Sequence, residues 1–324
     1  MPTREKKLIQ GIRRAAAGAG LAVVKGIGDD CAVLRVPRGH QVLVTTDFSI
    51  EKVHFRRDWH PPEVVGWRCL TRGLSDIAAM GGEPLAAFLS LAVARSVPQK
   101  WVDRFLRGLL ELAREAKVTL AGGDTAQSAS GIQADIVVVG SVPRGKAVLR
   151  SGAKVGDGVY VTGELGGAAA ELARLRESKG AKNLRRAFRA SHDSNRYSRP
   201  QARIEVGRWL RERGVASAMI DLSDGLSTDL EHICQESHVG AEIEAAAVPL
   251  AWVGDEAVRL ESALHGGDDY ELLFTSGVAV PAEIAGVRVT CIGRVGRFAG
   301  MRLVVDGKAR RFRAGGWEHF RRNL

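Results

Sequence analysis

Much of what this 324-residue sequence implies follows from what it has little of. Its four cysteines, Cys31, Cys69, Cys234 and Cys291, are scattered, with no C-x-x-C pair and no histidine at zinc-ligand spacing. That excludes a disulfide scaffold or structural zinc as the framework, and fits a reduced, cytoplasmic setting. No apolar run approaches the roughly 18 residues of a membrane span. The G-x-x-x-x-G-K-[ST], G-x-G-x-x-G, G-x-S-x-G and H-E-x-x-H patterns are all missing. Hydride transfer on a dinucleotide fold, serine hydrolysis and zinc hydrolysis therefore lose their usual support. There is no low-complexity segment, and shares of 45% hydrophobic and 26% charged residues are those of a globular chain long enough for two domains.

The net charge of +10 admits nucleic acid, a membrane surface or small anions as partners and selects none of them. The basic C-terminal segment (Lys308, Arg310, Arg311, Arg313, Arg321, Arg322) lacks a nucleic-acid motif or aromatic platform, so the expectation is no nucleic-acid and no membrane partner. At the other end, Arg4, Lys6, Lys7, Arg13 and Arg14 precede the small or apolar run Ala15 to Val24, in the manner of a secretory leader. That run is interrupted by glycine and leads without a polar spacer into Lys25 and Gly28-Asp29-Asp30. A first helix carrying Leu8, Ile12, Ala15 and Ala16, then a turn, is the better reading.

What the sequence does have is aspartate where apolar stretches stop. Val44-Thr45-Thr46-Asp47 is a β-branched run that predicts a short buried strand ending on a carboxylate, with Val53-His54-Phe55 at a fixed remove. Residues 31–36 and 41–47 read as neighbouring strands joined by Pro37-Arg38-Gly39-His40. Pro61-Pro62-Glu63 opens a helix whose apolar spacing runs to Gly81-Gly82, and Asp76 sits inside that pattern, where an unpaired charge is costly. A buried strand over 85–93 follows, then a helix from Pro98 with the stripe Trp101, Phe105, Leu109, Leu112, Ala116. Strand 118–120 runs into Gly122-Gly123-Asp124, and 136–139 is another strand. The polar, turn-rich stretch 141–157 marks a boundary, giving domains 1–145 and 146–324.

The second domain predicts a strand over 159–162, a glycine turn, a helix over 168–178, charged surface over 179–200 and a helix over 201–212. Asp221-Leu222-Ser223-Asp224-Gly225 then precedes a helix over 226–236 with Leu226, Leu230, Ile233 and Cys234 on one face. Gly266-Gly267-Asp268-Asp269, strands over 270–274 and 287–292, and Gly316-Trp317 complete it. The fold class is α/β (α+β), with mixed sheets covered by helices.

So many aspartates suit magnesium, a hard cation that takes a few carboxylates and leaves its other positions to water and phosphate. Carboxylates alone would repel a polyphosphate, whereas carboxylates holding divalent ions bridge its oxygens. The carboxylates are expected to converge on magnesium ions that hold the phosphates of ATP and of a second phosphorylated substrate. Each cluster has a structural alternative. Asp221, Ser223 and Asp224 suit a helix cap, Asp30 and Asp124 suit turns, Asp76 can pair with Arg68 or Arg72, and His54 can be an ordinary surface histidine.

In combination these residues resemble the thiamine-monophosphate kinases, which belong with the aminoimidazole ribonucleotide synthetases and selenophosphate synthetases. The resemblance runs from Gly28-Asp29-Asp30 through Thr45-Thr46-Asp47, Val53-His54-Phe55, Leu74-Ser75-Asp76, Gly122-Gly123-Asp124-Thr125, Arg150-Ser151-Gly152 and Asp221-Leu222-Ser223-Asp224-Gly225. It continues to Gly266-Gly267-Asp268-Asp269-Tyr270-Glu271 and Gly316-Trp317. The resemblance implies transfer of the γ-phosphoryl of ATP to thiamine phosphate by direct in-line, magnesium-assisted attack. It implies magnesium ligands at Asp30, Thr45, Thr46, Asp47, Asp76, Asp124, Asp221 and Asp224, and ATP contacts at Gly123, Asp124, Arg150 and Ser223. Thiamine phosphate falls to His54, Asp268 and Trp317, and Asp47, Asp224 and Arg150 are the residues expected to act in catalysis. A two-domain aminoimidazole ribonucleotide synthetase-like fold is implied, with an active-site cleft between domains and homodimerisation through the N-terminal sheets. Two positions depart from the family pattern: Asp268 stands where glutamate is usual, and Gly73 where asparagine is common. The alternatives are an ATP-dependent relative acting on another phosphorylated small molecule and, from a different class, a basic nucleic-acid-binding protein.

Overall fold

A computed structural model describes residues 5–16, 21–177 and 197–320. The chain divides into two compact units. The first comprises Met1–Ile77, Gly82–Gly145 and Leu175–Arg199, the second Ala78–Gly81, Lys146–Arg174 and Pro200–Leu324.

The first unit begins with α1 (Glu5–Ala15) and the small hairpin β1 (Val23–Lys25) and β2 (Val33–Leu34), followed by β3 (His40–Ile50), α2 (Pro62–Ala79) and β4 (Glu83–Ala94). After these come α3 (Gln99–Glu115), β5 (Thr119–Ser128) and β6 (Ile132–Pro143). Its four-stranded sheet has the order β3-β6-β4-β5, antiparallel except for the β4–β5 pair. The two helices form because apolar residues recur at helical spacing, and α3 buries Trp101, Phe105, Leu109 and Leu112 as its stripe predicts. They approach each other backbone to backbone. A Cβ on Gly66 would fall 1.9 Å from the Phe105 carbonyl oxygen, and one on Gly108 would fall 2.0 Å from that of Glu63. Gly73 has a similar reason: its Cβ would lie 2.5 Å from Val138 Cγ2 on β6, so the bare helix face lets α2 lie close to the sheet.

Several expectations need correcting here. The strand holding Asp47 does not end there. Eleven residue pairs with β6 carry it from His40 to Ile50, so Asp47 lies within the ladder. Nor is that strand buried, because β3 is the sheet's edge and leaves Val42, Val44 and Phe48 at 50%, 66% and 57% exposure. β2 pairs with β1, which the leader-like run concealed, and not with β3. β5 runs straight through Gly122-Gly123-Asp124. Of the stretch 179–200 expected at the surface, 179–196 lies outside the described residues, while Tyr197 and Ser198 are buried. His60 Nε2 meets the Tyr197 hydroxyl at 2.5 Å and Arg68 donates to the Tyr197 carbonyl at 2.7 Å, so the aromatic ring is covered by polar groups with partners.

The second unit contains β7 (Gly158–Thr162), α4 (Gly167–Glu177), α5 (Ile204–Glu212), β8 (Ala218–Asp221), α6 (Leu226–Ser237) and β9 (Gly240–Glu244). The short pair β10 (Trp252–Val253) and β11 (Glu256–Ala257), α7 (Leu260–His265) and β12 (Leu272–Ser276) come next. The chain then runs through β13 (Glu283–Ile284), β14 (Val287–Gly296), β15 (Met301–Val305) and β16 (Lys308–Phe312). The large sheet has the order β16-β15-β9-β14-β7-β12-β8, with β13 paired to β14 and only β9–β15 parallel. Leu226, Leu230 and Ile233 of α6 pack with Val161, Ile243, Leu273 and Ile292 on one face. Met219, Phe274 and Val289 pack with Val206 and Leu210 on the other. Arg310 and Arg311 of the basic C-terminal segment stand on the exposed edge strand β16, while Arg321 and Arg322 lie outside the described residues. Among the described residues no helix is long and apolar enough to cross a membrane.

Candidate active site

In the first unit, strand alternation divides Thr45-Thr46-Asp47 between two faces. Thr45 and Asp47 turn toward α2, where the Thr45 hydroxyl donates to Asp76 Oδ2. Burial, then the neighbouring Asp76, push the Asp47 carboxyl up to about 7, against a lowering by the Arg72 guanidinium. Thr46 faces the other way and donates to Asp135 Oδ1 on β6 at 2.7 Å. Asp135 was missed from the sequence; it faces Phe48 across the ladder and adds to the charge around Asp47.

Asp30 and Asp124 are exposed, and both line a cavity of about 540 Å³ with Gly28, Gly123, Phe88 and Leu120. Gly123 is required where it stands: its φ is +142° and a Cβ would sit 1.9 Å from the Leu89 carbonyl oxygen of β4. Asp124 Oδ1 accepts from the Thr125 amide at 2.8 Å. His54 closes the turn after β3. Its Nδ1 accepts from the Ile50 amide at 3.0 Å.

In the second unit the turn from Asp221 to Gly225 is the hub. β8 ends on Asp221, which is buried, as strand-end placement predicts. Two other candidate segments hang on the carbonyls of this turn. Asp268 N–H donates to the Ser223 carbonyl and Trp317 N–H to the Asp224 carbonyl, at 2.9 and 3.0 Å. Trp317 is 51% exposed, and its ring stands perpendicular to that of His319. The residue that holds the turn is Asp229, whose Oδ2 accepts from the amides of Asp224 and Gly225 at 3.2 and 3.0 Å. Asp229, in the first turn of α6, thus holds the loop that leads into the helix, whose N-cap residue is Gly225. Burial, then Asp221 and Asp224, push the Asp229 carboxyl well above the ordinary range. Its signal in the sequence was a carboxylate at 229 on the stripe 226, 230, 233, the same signal that marked Asp76. Arg150 stands apart at the backbone level. Its carbonyl accepts from Ser237, which closes the 12-residue α6, a helix about 18 Å long whose other end follows Asp224.

The donor set around both groups is oxygen only, which suits magnesium. In each unit burial, and then neighbouring carboxylates, make the ionised form of one carboxyl costly, a cost that a divalent cation removes. Among the described residues no three His, Cys, Asp or Glu side chains converge closely enough to hold an ion by themselves.

Residues 28–142 match the family described as AIR synthase related protein, N-terminal domain, and residues 154–291 match its C-terminal domain. The chain is 35% identical over 314 residues to the thiamine-monophosphate kinase of Haemophilus influenzae, covering 93% of each. It superposes on the crystal structure of thiamine-monophosphate kinase from Stenotrophomonas maltophilia with a TM-score of 0.80 and 32% identity, covering 96% of this chain and 99% of that one. AaThiL complexed with AMPPCP and TMP is similar with a TM-score of 0.75 and 33% identity, over 98% and 97% of the two chains.

Proposed function

The chain belongs to the thiamine-monophosphate kinase family, and from that premise we propose which of its residues perform the reaction. It is an ATP-dependent phosphotransferase that phosphorylates thiamine phosphate in the synthesis of thiamine diphosphate. The observation that carries the assignment of residues is the crowding of oxygen ligands in each unit, at Asp47 with Asp76 and at Asp229 with Asp221 and Asp224. In the proposal Asp30, Thr45, Asp47, Asp76 and Asp124 of the first unit, with Asp221 and Asp224 of the second, hold magnesium, whereas Thr46, expected among the ligands, turns its hydroxyl to the other face of β3 and bonds Asp135. When bound, the metal neutralises charge on the transferring phosphoryl group and aligns attacking and leaving oxygens. Gly123, Asp124, Ser223 and the Arg150 guanidinium bind ATP, while His54, Asp268 and Trp317 bind thiamine phosphate. The acceptor needs no general base, because a phosphate monoester with a second pKa near about 6 is already an anionic nucleophile at neutral pH. Positioning two polyanions is the whole task.

Incubation with ATP, magnesium and thiamine phosphate should yield thiamine diphosphate, with none from unphosphorylated thiamine; product from thiamine alone would refute the acceptor assignment. Trp317, half exposed, is the aromatic group placed to meet the cationic ring system of the substrate, a contact of about 0.5–2 kcal/mol. Trp317→Ala should raise the KM for thiamine phosphate by about 3- to 30-fold and leave that for ATP within about twofold; equal effects on both would mean a packing role.

A second copy of this chain is proposed to cover the edge strand β3. Val42, Val44 and Phe48 form an apolar stripe on a strand at the sheet's edge, which a monomer would leave open to aggregation. Val44→Asp should convert a dimer into a monomer in sedimentation velocity, and an unchanged sedimentation coefficient would count against this interface. A cytoplasmic location, where ATP and magnesium are available, belongs to the same proposal.

A further inference from the structure

The segment between α7 and β12 has an unusual backbone. Asp268 and Tyr270 both hold left-handed φ values, +68° and +53°, which non-glycine residues seldom adopt unless the surroundings impose them. Here the surroundings do. The Asp268 and Tyr270 amides donate to the carbonyls of Ser223 and Leu222, each at 2.9 Å, and the Leu222 amide returns a bond to the Glu271 carbonyl at 2.8 Å. The flanking carboxylates are committed to the scaffold. Asp269 accepts from the amides of Gly166 and Ala168, and Glu271 takes two bonds from the Arg203 guanidinium and one from the Thr162 hydroxyl.

Tyr270 is what this geometry produces. Its ring is 1% exposed, and because residues 268 and 270 both bend to the left, its phenol reaches back and donates to Asp268 Oδ1 at 2.6 Å. Asp268 itself is half-buried. A short bond from a fixed phenol holds that carboxylate in one rotamer. We propose that Tyr270 is a positioning residue for acceptor recognition: it acts through Asp268, fixing the direction in which that carboxylate meets thiamine phosphate. The proposal rests on the reading that Asp268 binds this substrate. A carboxylate repels the substrate's phosphate, so the group it is aimed at is the cationic or amine-bearing ring portion. Tyr270 touches neither substrate.

The test is a double-mutant cycle on the full chain with Tyr270→Phe, Asp268→Asn and the double variant, measuring KM and calorimetric Kd for each substrate, with thermal melting alongside. Tyr270→Phe keeps the ring and should weaken thiamine phosphate about tenfold, leaving kcat and the ATP constants within about twofold. In the Asp268→Asn background the same change should have no further effect, because its route is already cut. An Asp268→Asn variant with unchanged thiamine phosphate affinity would overturn the reading beneath the proposal and the proposal with it. If Asp268→Asn weakens the substrate but Tyr270→Phe is silent, fully additive, or equally harmful to ATP, the positioning role alone is overturned. If Tyr270→Phe melts early, ligand affinities measured well below its melting temperature still separate these outcomes.

Discussion

Asp47→Asn is expected to abolish phosphoryl transfer, with a loss on the order of 10²–10³-fold or more in kcat, and to leave the fold intact. The reason lies in the opposed demands on this carboxylate. It is half-buried in a strand, faces Asp76 from α2, and has its carboxyl pushed up to about 7, all unfavourable for a charge. An amide of the same shape removes the repulsion and with it the ability to hold a metal. The sign follows from linkage. The folded value lies above the ordinary 3.8, so the folded state binds the proton more tightly. In metal-free protein this group's contribution is fully present below about 4 and is lost as the pH rises through about 7. Between pH 5 and pH 8, metal-free wild type should therefore lose more melting temperature than Asp47→Asn. Full activity in the variant would end the metal assignment, and equal pH slopes would remove the electrostatic reason given for it. Asp224→Asn should show the same kinetic loss from the second unit.

Gly108→Ala should unfold the first unit at markedly lower temperature. The added Cβ meets the Glu63 carbonyl oxygen at 2.0 Å, with the Glu63 carbonyl carbon and Cα also inside 3 Å. No side chain can swing away, because the obstacle is backbone. The two helices must separate along their crossing, and α2 is the helix that presents Asp76 to Asp47. A cost of about 3 kcal/mol is expected, or roughly 6–12 °C in melting temperature for a unit of this size. Activity at a permissive temperature should fall as well. A variant that melts within about 2 °C of wild type would show that the helices pack less closely than this geometry states.

The sequence was most legible where a periodic apolar pattern and a terminator agreed. Residues 98–116 and 226–236 formed helices close to the expected bounds, and Asp221 closes its strand because the apolar stretch really stops there. Around Asp47 the same logic misplaced the end, since a β-branched and threonine-rich run says nothing about how far its partner strand continues. Nor can such a run separate a buried strand from an edge strand whose apolar side awaits a partner, which is why Val42 and Val44 were misread. Asp135 and Asp229 escaped notice for different reasons. Asp135 approaches Thr46 only through β3–β6 register, a long-range fact, whereas Asp229 was visible as a carboxylate on an apolar stripe. Tyr270 was part of a motif that supported the family resemblance, but its bond to Asp268 depends on two left-handed residues that composition does not disclose.

The most direct measurement is calorimetric titration of ATP into wild type, Asp47→Asn and Asp224→Asn, each with magnesium and with the metal chelated. The account predicts binding in wild type that depends on magnesium and weakens at least about tenfold in both variants, the scale on which one charge-assisted interaction contributes. ATP binding that is indifferent to magnesium, or unchanged in either variant, would contradict the claim that these carboxylates hold the metal for the nucleotide.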